Sequence, residues 1–140
     1  MSDRTHDLAR FVEAQERAWP QARRELAAGR KSSHWMWFVF PQVAGLGSSP
    51  TAQHYALVGV DEARAYLAHP VLGERLREGC RLLLGLGVTD PVVVLGSIDA
   101  LKLRSSMTLF ERAAPQESVF GEVLDRFYAG ERDERTLALI

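Results

Sequence analysis

The chain has 140 residues, of which 46% are hydrophobic and 25% charged, so it is long enough for one globular domain with a sizeable core. Its 17 basic and 18 acidic residues give a formal net charge of −1, which argues against a general nucleic-acid or anionic-membrane binder. A single Cys excludes an intramolecular disulfide and, with a polar start and no apolar run of membrane length, favours a cytoplasmic protein. We expect one domain over residues 1–140.

The N-terminal part of the chain is predicted to be helical. Apolar residues repeat at helical spacing behind Asp7, which is a good N-cap residue. Pro20 lies in the continuation of this pattern, and proline is poorly tolerated inside a helix. We therefore predict a break near residues 17–19, a second helix that begins at Pro20, and an end at Gly29.

The stretch from Arg30 to Gln42 is the most aromatic part of the chain. It holds two of the three tryptophans and two of the six phenylalanines, so most of it must be buried. Residues 38–40 have strand propensity, but no other segment offers a partner strand, and a short buried helix or turn that ends before Pro41 is favoured. Because polar residues lie at both ends of the aromatic run, the stretch has the composition of a pocket rim.

Three helices are predicted between this stretch and the middle of the chain. Ser49 caps a helix that runs to about Val58. The next begins at Asp61 and stops at His69, since the residue before a proline is disfavoured in the α conformation. The third carries a clean apolar stripe and ends at Gly85.

The C-terminal half adds further short helices. Asp90 caps a short apolar turn over residues 92–95, and Ser97 caps a long helix. An amphipathic helix closed by Gly130 and a last short helix capped by Asp133 follow. Since alternating strand patterns are almost absent, we predict an all-α single-domain irregular orthogonal bundle of about eight short helices.

The helix that follows Ser97 is apolar on two faces, which is typical of a central helix with neighbours on both sides. The two faces carry Ile98, Leu101, Ser105 and Leu109 on one side, and Leu103, Met107 and Phe110 on the other. Between them runs a polar stripe of Asp99, Lys102 and Ser106 at spacings of three and four. Such a stripe is either an internal set of salt bridges and hydrogen bonds or a pocket wall with groups for acid–base work.

A basic pair lies at the start of the aromatic stretch. Arg30 and Lys31, with Ser33 and His34 beside them, suit a phosphate or carboxylate group. The alternative is that both cations simply face solvent after a helix C-terminus, where positive charge is favoured in any case.

The two tryptophans of the stretch, Trp35 and Trp37, are candidates for stacking on a planar ligand ring. Aromatic residues at this spacing are more often core, and at least one of the two is predicted to be core. The functional hypothesis predicts that Arg30, Lys31 and His34 face the polar stripe across one cleft that is floored by one of these tryptophans.

No metal or cofactor site is predicted. His34, His54 and His69 lack the spacing of a metal-binding motif, and there is no second cysteine. Cys80 lies on an apolar stripe and is predicted to act as a small buried hydrophobe. The glycine-rich loop over residues 45–49 is either an anion cradle or simply a loop and helix cap.

Several long blocks of the chain resemble the domain-of-unknown-function family 1810. The blocks are residues 7–15, 29–42, 45–49, 63–73 and 102–110, which together extend over nearly the whole chain. The resemblance implies a small all-helical protein and brings no established activity. One departure is Ala100, because the family usually has a second acid after the position of Asp99, and this argues against a two-carboxylate mechanism there.

The order of the elements, and residues 49–56 in particular, is similar to NADAR domains, which act on ADP-ribose linkages and related N-glycosides. The corresponding helix of that family has a Ser-x-Glu-His-x-Tyr-Gln-Ala pattern, which residues 49–56 resemble and in which His54 matches the histidine. Gln53 stands where the family has its glutamate, so the resemblance does not carry a catalytic carboxylate to this position.

We expect a cytosolic pocket protein that binds or hydrolyses a nucleotide-like or ADP-ribose-type small molecule, with N-glycosidase-type hydrolysis as the most specific version. The alternative is a non-enzymatic helical binding domain, whose sign would be an exposed apolar patch without a convergent polar pocket. The predicted catalytic residues are Asp99, Lys102 and His34. The predicted ligand-binding residues are Arg30, Lys31, Ser33, Trp35, Trp37, Gln42, His54 and Ser106. Neither nucleic acid nor a membrane is expected as a partner.

Overall fold

The computed structural model describes residues 7–140, and within that range the chain forms helices and no β-strand beyond one isolated bridge between Val43 and Leu57. The helices in chain order are α1 (Ala9–Ala28), α2 (Met36–Val39), α3 (Pro50–His54), α4 (Val60–Ala68), α5 (Leu72–Leu84), α6 (Pro91–Leu95), α7 (Ser97–Ala113), α8 (Val119–Tyr128) and α9 (Glu134–Leu139). The all-α prediction is confirmed. None of these described helices is both long and apolar enough to span a bilayer.

Helix α1 is continuous through Pro20, so the predicted break near residues 17–19 is wrong. Pro20 is exposed, and the carbonyl that it leaves without a partner lies on the solvent side of the helix, where water can satisfy it. The opposite side carries Phe11 and Leu26, both almost fully buried, and this packing holds the two halves in one helix. Gly29 ends α1 as predicted, with a φ of 74°.

The helix caps follow local side-chain chemistry. Ser49 accepts a hydrogen bond from the amide of Ala52, Asp90 from that of Val92, and Asp133 from that of Thr136, so the three predicted caps are confirmed. Ser97 is not a cap: α7 begins after Gly96 and has no side-chain cap.

Helix α3 is shorter than predicted, since it ends at His54 rather than near Val58. The backbone after it pairs with the segment that follows α2 instead of continuing the helix. Leu57 donates to the carbonyl of Gln42 at 2.9 Å, and Ala44 donates to the carbonyl of Leu57 at 2.7 Å. This pairing places the end of the aromatic stretch beside α3.

Helix α7 lies at the centre of the bundle and packs against α4, α6, α8 and α9. Its inner face carries Leu103, Met107 and Phe110, which are all fully buried. The ring of Phe110 lies 5.5 Å from that of Tyr66 on α4 and 5.8 Å from that of Phe120 on α8. The helix therefore joins the two sides of the core.

The expectation that α7 is buried on both faces is wrong at its N-terminal end. Ile98 is 69% exposed and Leu101 is 62% exposed, whereas Leu109 on the same predicted face is fully buried. The neighbouring helices cover the inner face and the C-terminal half of α7 but leave the outer face of its first turns in solvent.

Candidate functional site

The Arg30–Gln42 stretch is held in place by the carboxylate of Glu25, in the last turns of α1. Glu25 is only 5% exposed. One carboxylate oxygen accepts hydrogen bonds from the amides of Ser32 and Ser33, at 2.8 and 3.0 Å, and from Trp35 Nε1 at 2.9 Å. The other accepts from Ser33 Oγ at 2.7 Å and Gln21 Nε2 at 2.8 Å. A single buried anion thus organises the start of the aromatic stretch.

These hydrogen bonds also determine the protonation behaviour of Glu25. Burial alone would raise the pKa of its carboxyl, but the hydrogen bonds from Ser32, Ser33, Gln21 and Trp35 outweigh burial and hold the pKa well below its ordinary value. Sequence reasoning missed this residue. The available signal was an acid near the C-terminal end of a helix, where the helix dipole disfavours negative charge unless the acid has partners elsewhere.

Two of the predicted ligand-binding residues are therefore committed to the fold. Ser33 donates to Glu25 with both its amide and its hydroxyl. Trp35 is 1% exposed, so its ring is core and is not accessible to a ligand. Of the two tryptophans in the stretch, Trp37 is the one that is partly accessible.

Lys31 connects the stretch to the junction of α6 and α7 at Gly96, which we call the elbow. Its amide donates to the carbonyl of Val94 at 2.8 Å, and its Nζ lies 2.8 Å from Asp99 Oδ2. The same ammonium lies 5.1 Å from the ring centroid of Trp35. With only 10% of the Lys31 side chain and 18% of the Asp99 side chain exposed, this ion pair fastens two distant parts of the chain together.

Lys102 lies on the other side of Asp99 and is held more loosely. Its Nζ is 3.8 Å from Asp99 Oδ1 and 5.1 Å from the ring centroid of Trp37. The side chain is 24% exposed. Lys31, Trp37, Asp99 and Lys102 form one group of side chains, which we call the Lys102 cluster. Lys31 meets Asp99 as a direct ion pair, which corresponds to the internal salt bridge that was the alternative to a cleft.

A groove of about 300 Å³ opens beside this cluster, and we call it the Lys102 groove. One wall is the loop after α2, and the other is the outer face of α7 together with the start of α9. The residues that line it are Gln42, Leu46, Gly47, Ile98, Leu101, Lys102, Arg104, Ser105, Asp133 and Arg135. The aliphatic side chains and the cationic groups therefore face the same space.

The balance of charge in the groove is positive. Asp133 is the one carboxylate among the lining residues, and it is buried and already accepts from Ser105 Oγ at 3.0 Å and from both the amide and the hydroxyl of Thr136. Arg104 reaches its acidic neighbours only at 3.7 and 3.8 Å. Arg135 is exposed and makes no ion pair within residues 7–140. The groove thus offers cationic groups to a ligand anion.

Other predicted site residues lie outside the groove. Arg30 and His34 are exposed, and within the described part of the chain neither makes a hydrogen bond or ion pair to α7, so the expectation that they face the polar stripe is wrong. Both lie next to residues that are held by hydrogen bonds or ion pairs, but their own side chains point to solvent. Ser106 is fully buried, and its hydroxyl has no hydrogen-bond partner among residues 7–140. Because Ser106 lies in the core, it does not line the groove.

His54 lies at a separate cavity of about 620 Å³, between α1 and the end of α3. Its ring packs edge-on against Tyr55 at 4.6 Å, and its carbonyl accepts a hydrogen bond from Arg10 Nε at 2.8 Å. Phe38 is part of the same wall. His54 and the Lys102 groove are therefore two different places in the fold.

Neither a thiol nor a metal site emerges from the described side chains. Cys80 is fully buried, with its Sγ 3.6 Å from Met107 Sδ, and burial raises the pKa of its thiol. It is a small core residue, as predicted. Within residues 7–140, no three His, Cys, Asp or Glu side chains converge as metal ligands.

Comparisons with known proteins place the chain in a family. A crystal structure of the conserved hypothetical protein Rv1873 from Mycobacterium tuberculosis is similar over 97% of each chain, with 47% identity and a TM-score of 0.95. No curated protein matches the chain. The family described as "Protein of unknown function (DUF1810)" matches residues 5–140. The chain therefore belongs to the DUF1810 family, as its sequence blocks predicted.

Proposed function

We propose that this chain is a cytoplasmic pocket protein that binds a small phosphorylated or nucleotide-like molecule in the Lys102 groove. The observation that carries the proposal is the unequal sharing of Asp99. Lys31 holds Asp99 at 2.8 Å, whereas Lys102 stands 3.8 Å away at the edge of the groove. Lys102 is therefore the ammonium of the cluster that can turn toward a ligand anion.

The surroundings of Lys102 favour an anion over a neutral ligand. Its ammonium is partly removed from water, where charge interactions are stronger than at an open surface. Arg104 and Arg135 line the same groove and can share a phosphate or carboxylate with it. The volume of about 300 Å³ lies at the small end of ligand pockets, which suits a single nucleotide-like unit.

The apolar part of such a ligand would meet aliphatic walls. Lys102 covers one face of Trp37, and Trp35 is buried, so a ring in the groove would pack against Leu46, Ile98 and Leu101. Covering exposed aliphatic groups of this kind contributes about 25 cal/mol of favourable free energy for each Å² that is removed from water. Binding by cations and aliphatic contacts is the chemistry that this groove supports best.

The hydrolytic version of the proposal assigns Asp99 as the carboxylate and Lys102 as its partner. Both oxygens of Asp99 face ammonium groups, so Lys102 would have to move from Asp99 to the ligand before the carboxylate could act. The likeness of residues 49–56 to NADAR domains points to the reaction type only, because His54 lies at the other cavity and none of these residues lines the Lys102 groove. Loss of hydrolysis in Asp99→Asn with binding retained would support this version.

Binding is tested by thermal shift and isothermal titration with nucleoside monophosphates, ADP-ribose and sugar phosphates. The variant is Lys102→Ala, which is expected to fold because the side chain is a quarter exposed. The matched control is Arg81→Ala, an exposed cation on α5 with only a long 3.8 Å ion pair. We expect a ligand to raise the melting temperature of wild type and of the control, and Lys102→Ala to lose about tenfold in affinity.

Equal affinity in Lys102→Ala and wild type would contradict the proposed site, and stabilisation by none of these anions would contradict the ligand class. A second candidate function, a non-enzymatic interaction domain, is favoured by the exposure of Val93 (66%), Ile98 (69%) and Leu101 (62%). It would be supported if no small anion bound and a protein partner did.

A further inference from the structure

The apolar side chains that remain exposed are concentrated at the elbow between α6 and α7. Among the described residues six large hydrophobic side chains are exposed, and four of them lie in residues 92–101. They are Val92, Val93, Ile98 and Leu101, at 48%, 66%, 69% and 62% exposure. Helices α6 and α7 pack against each other and are separated only by Gly96, so these side chains lie within one short region of the fold, which we call the elbow patch.

The core of the fold makes no use of the elbow patch. Val94 and Leu95 of α6, and Leu103 of α7, supply the buried contacts of the same two helices. Ile98 and Leu101 are three residues apart on α7 and therefore lie on one side of it. A pair of aliphatic side chains at this spacing, beside a groove that also contains Leu46, has the form of a surface that receives the apolar face of a helix.

The charges around the patch favour one kind of partner. Arg30 is exposed and precedes Lys31, whose amide is bonded to Val94, so Arg30 lies beside α6. Lys102 and Arg135 border the patch on the groove side. Two acids lie nearby. Asp99 is contacted by two lysines, and the exposed Asp90 caps α6 through the amide of Val92. The cations around the patch outnumber these two acids, so the rim presents net positive charge in a chain whose formal charge is −1.

We propose that the elbow patch binds an acidic amphipathic helix of a partner protein. Two aliphatic side chains of the partner, three or four residues apart, would cover Val93, Ile98 and Leu101, while its carboxylates would meet Arg30 and Lys102. The inference stands on exposure and charge at the elbow and does not depend on the binding of a small molecule in the groove.

The probe is a fluorescent model peptide with leucines at helical spacing and glutamates on its other face. Its control is the same peptide with lysine in place of every glutamate. Fluorescence anisotropy is measured with wild type and with Ile98→Glu, Val93→Glu and Val58→Glu. Val58 is the matched control because it is 76% exposed and lies far along the chain from the elbow.

We expect the acidic peptide to bind wild type and Val58→Glu equally, and Val93→Glu and Ile98→Glu each to weaken binding about tenfold. Raising the salt concentration should weaken binding, because salt screens the attraction between the cations around the patch and the glutamates of the peptide. Val93→Glu should leave small-anion binding intact, since Val93 does not line the Lys102 groove, so the two proposals fail separately.

Three kinds of result would overturn the inference. The first is failure of the peptide test, in which the lysine peptide binds equally well or the acidic peptide does not bind. The second is self-association of wild type in sedimentation velocity that Ile98→Glu abolishes, because the occupant would then be a second copy. The third is binding to vesicles of phosphatidylserine and phosphatidylcholine in preference to the peptide, because the patch would then face a lipid surface.

Discussion

The buried carboxylate of Glu25 gives the sharpest test of how the aromatic stretch is held. In Glu25→Ala, the indole N–H of Trp35 loses its acceptor in a site that is 1% exposed, so water cannot replace it. The amides of Ser32 and Ser33 lose the same acceptor, although they are closer to solvent. The groups left behind are neutral donors, and a buried donor without an acceptor costs about 1–3 kcal/mol, so we expect a loss of about 3 kcal/mol in the free energy of unfolding.

Glu25→Gln separates charge from geometry. The amide oxygen can keep the three N–H donors that one carboxylate oxygen now accepts. The amide nitrogen would face Ser33 Oγ, which can reorient to accept a hydrogen bond, and Gln21, which can accept only by giving up its exposed hydrogen bond from Arg24. The buried hydrogen bonds are kept and the charge is lost, and we expect a cost of about 1–2 kcal/mol.

The pH dependence follows from the lowered pKa of Glu25. A carboxyl whose folded pKa lies below its unfolded pKa contributes stability that is fully present above the unfolded pKa, about 4.3 for Glu. That contribution is lost as pH falls through the folded pKa. The stability difference between wild type and Glu25→Gln, which cannot titrate at this position, should be constant above about pH 5 and narrow on acidification.

The assay is urea unfolding followed by far-ultraviolet circular dichroism and tryptophan fluorescence, at several pH values. Glu13→Gln is the control, since Glu13 is an exposed acid on the same helix, and it should change stability by less than about 0.5 kcal/mol. The reasoning would be refuted if Glu25→Ala were as stable as this control. It would also be refuted if the difference between wild type and Glu25→Gln grew as the pH fell.

Three further outcomes are expected. Arg77 donates two hydrogen bonds to Glu117, of 2.7 and 2.8 Å, at a partly exposed site. Arg77→Lys should therefore lose about 1 kcal/mol of stability in urea unfolding, and a stability equal to wild type would contradict this. Gly73→Ala should lose about 3 kcal/mol or fail to fold, since an added Cβ would overlap the carbonyl oxygen of Leu67, and an unchanged melting temperature would exclude that clash. Cys80 should not react with a thiol reagent until the protein unfolds, because burial raises its pKa, and rapid labelling of the native protein would refute it.

Much of the candidate site was predictable because its members stand out against their surroundings. Lys31 is a cation at the edge of an aromatic run, and Asp99 and Lys102 are charges on a largely apolar helix. Polar groups in such positions must pair or reach solvent, and here they do both. Arg30 and His34 carried the same signal but face solvent, because nothing in the composition of a short segment tells which of its polar side chains turn inward.

The position of Glu25 shows the opposite case. Its partners Ser32, Ser33 and Trp35 come after the turn at Gly29, and the hydrogen bonds form only because α1 ends where it does and the chain folds back on it. The exposure of Ile98 depends likewise on where the neighbouring helices end, and the helical spacing of apolar residues carries no information about that.

The sequence by itself determined the helical class, the ends of most helices and the caps at Ser49, Asp90 and Asp133. These features depend on side chains and backbone groups within one or two turns of each other. Tertiary structure alone decided that α1 runs through Pro20, that Trp35 is core, and that Lys102 borders a groove. The physical reason is that burial and charge pairing depend on residues far along the chain, which come together only when the helices pack.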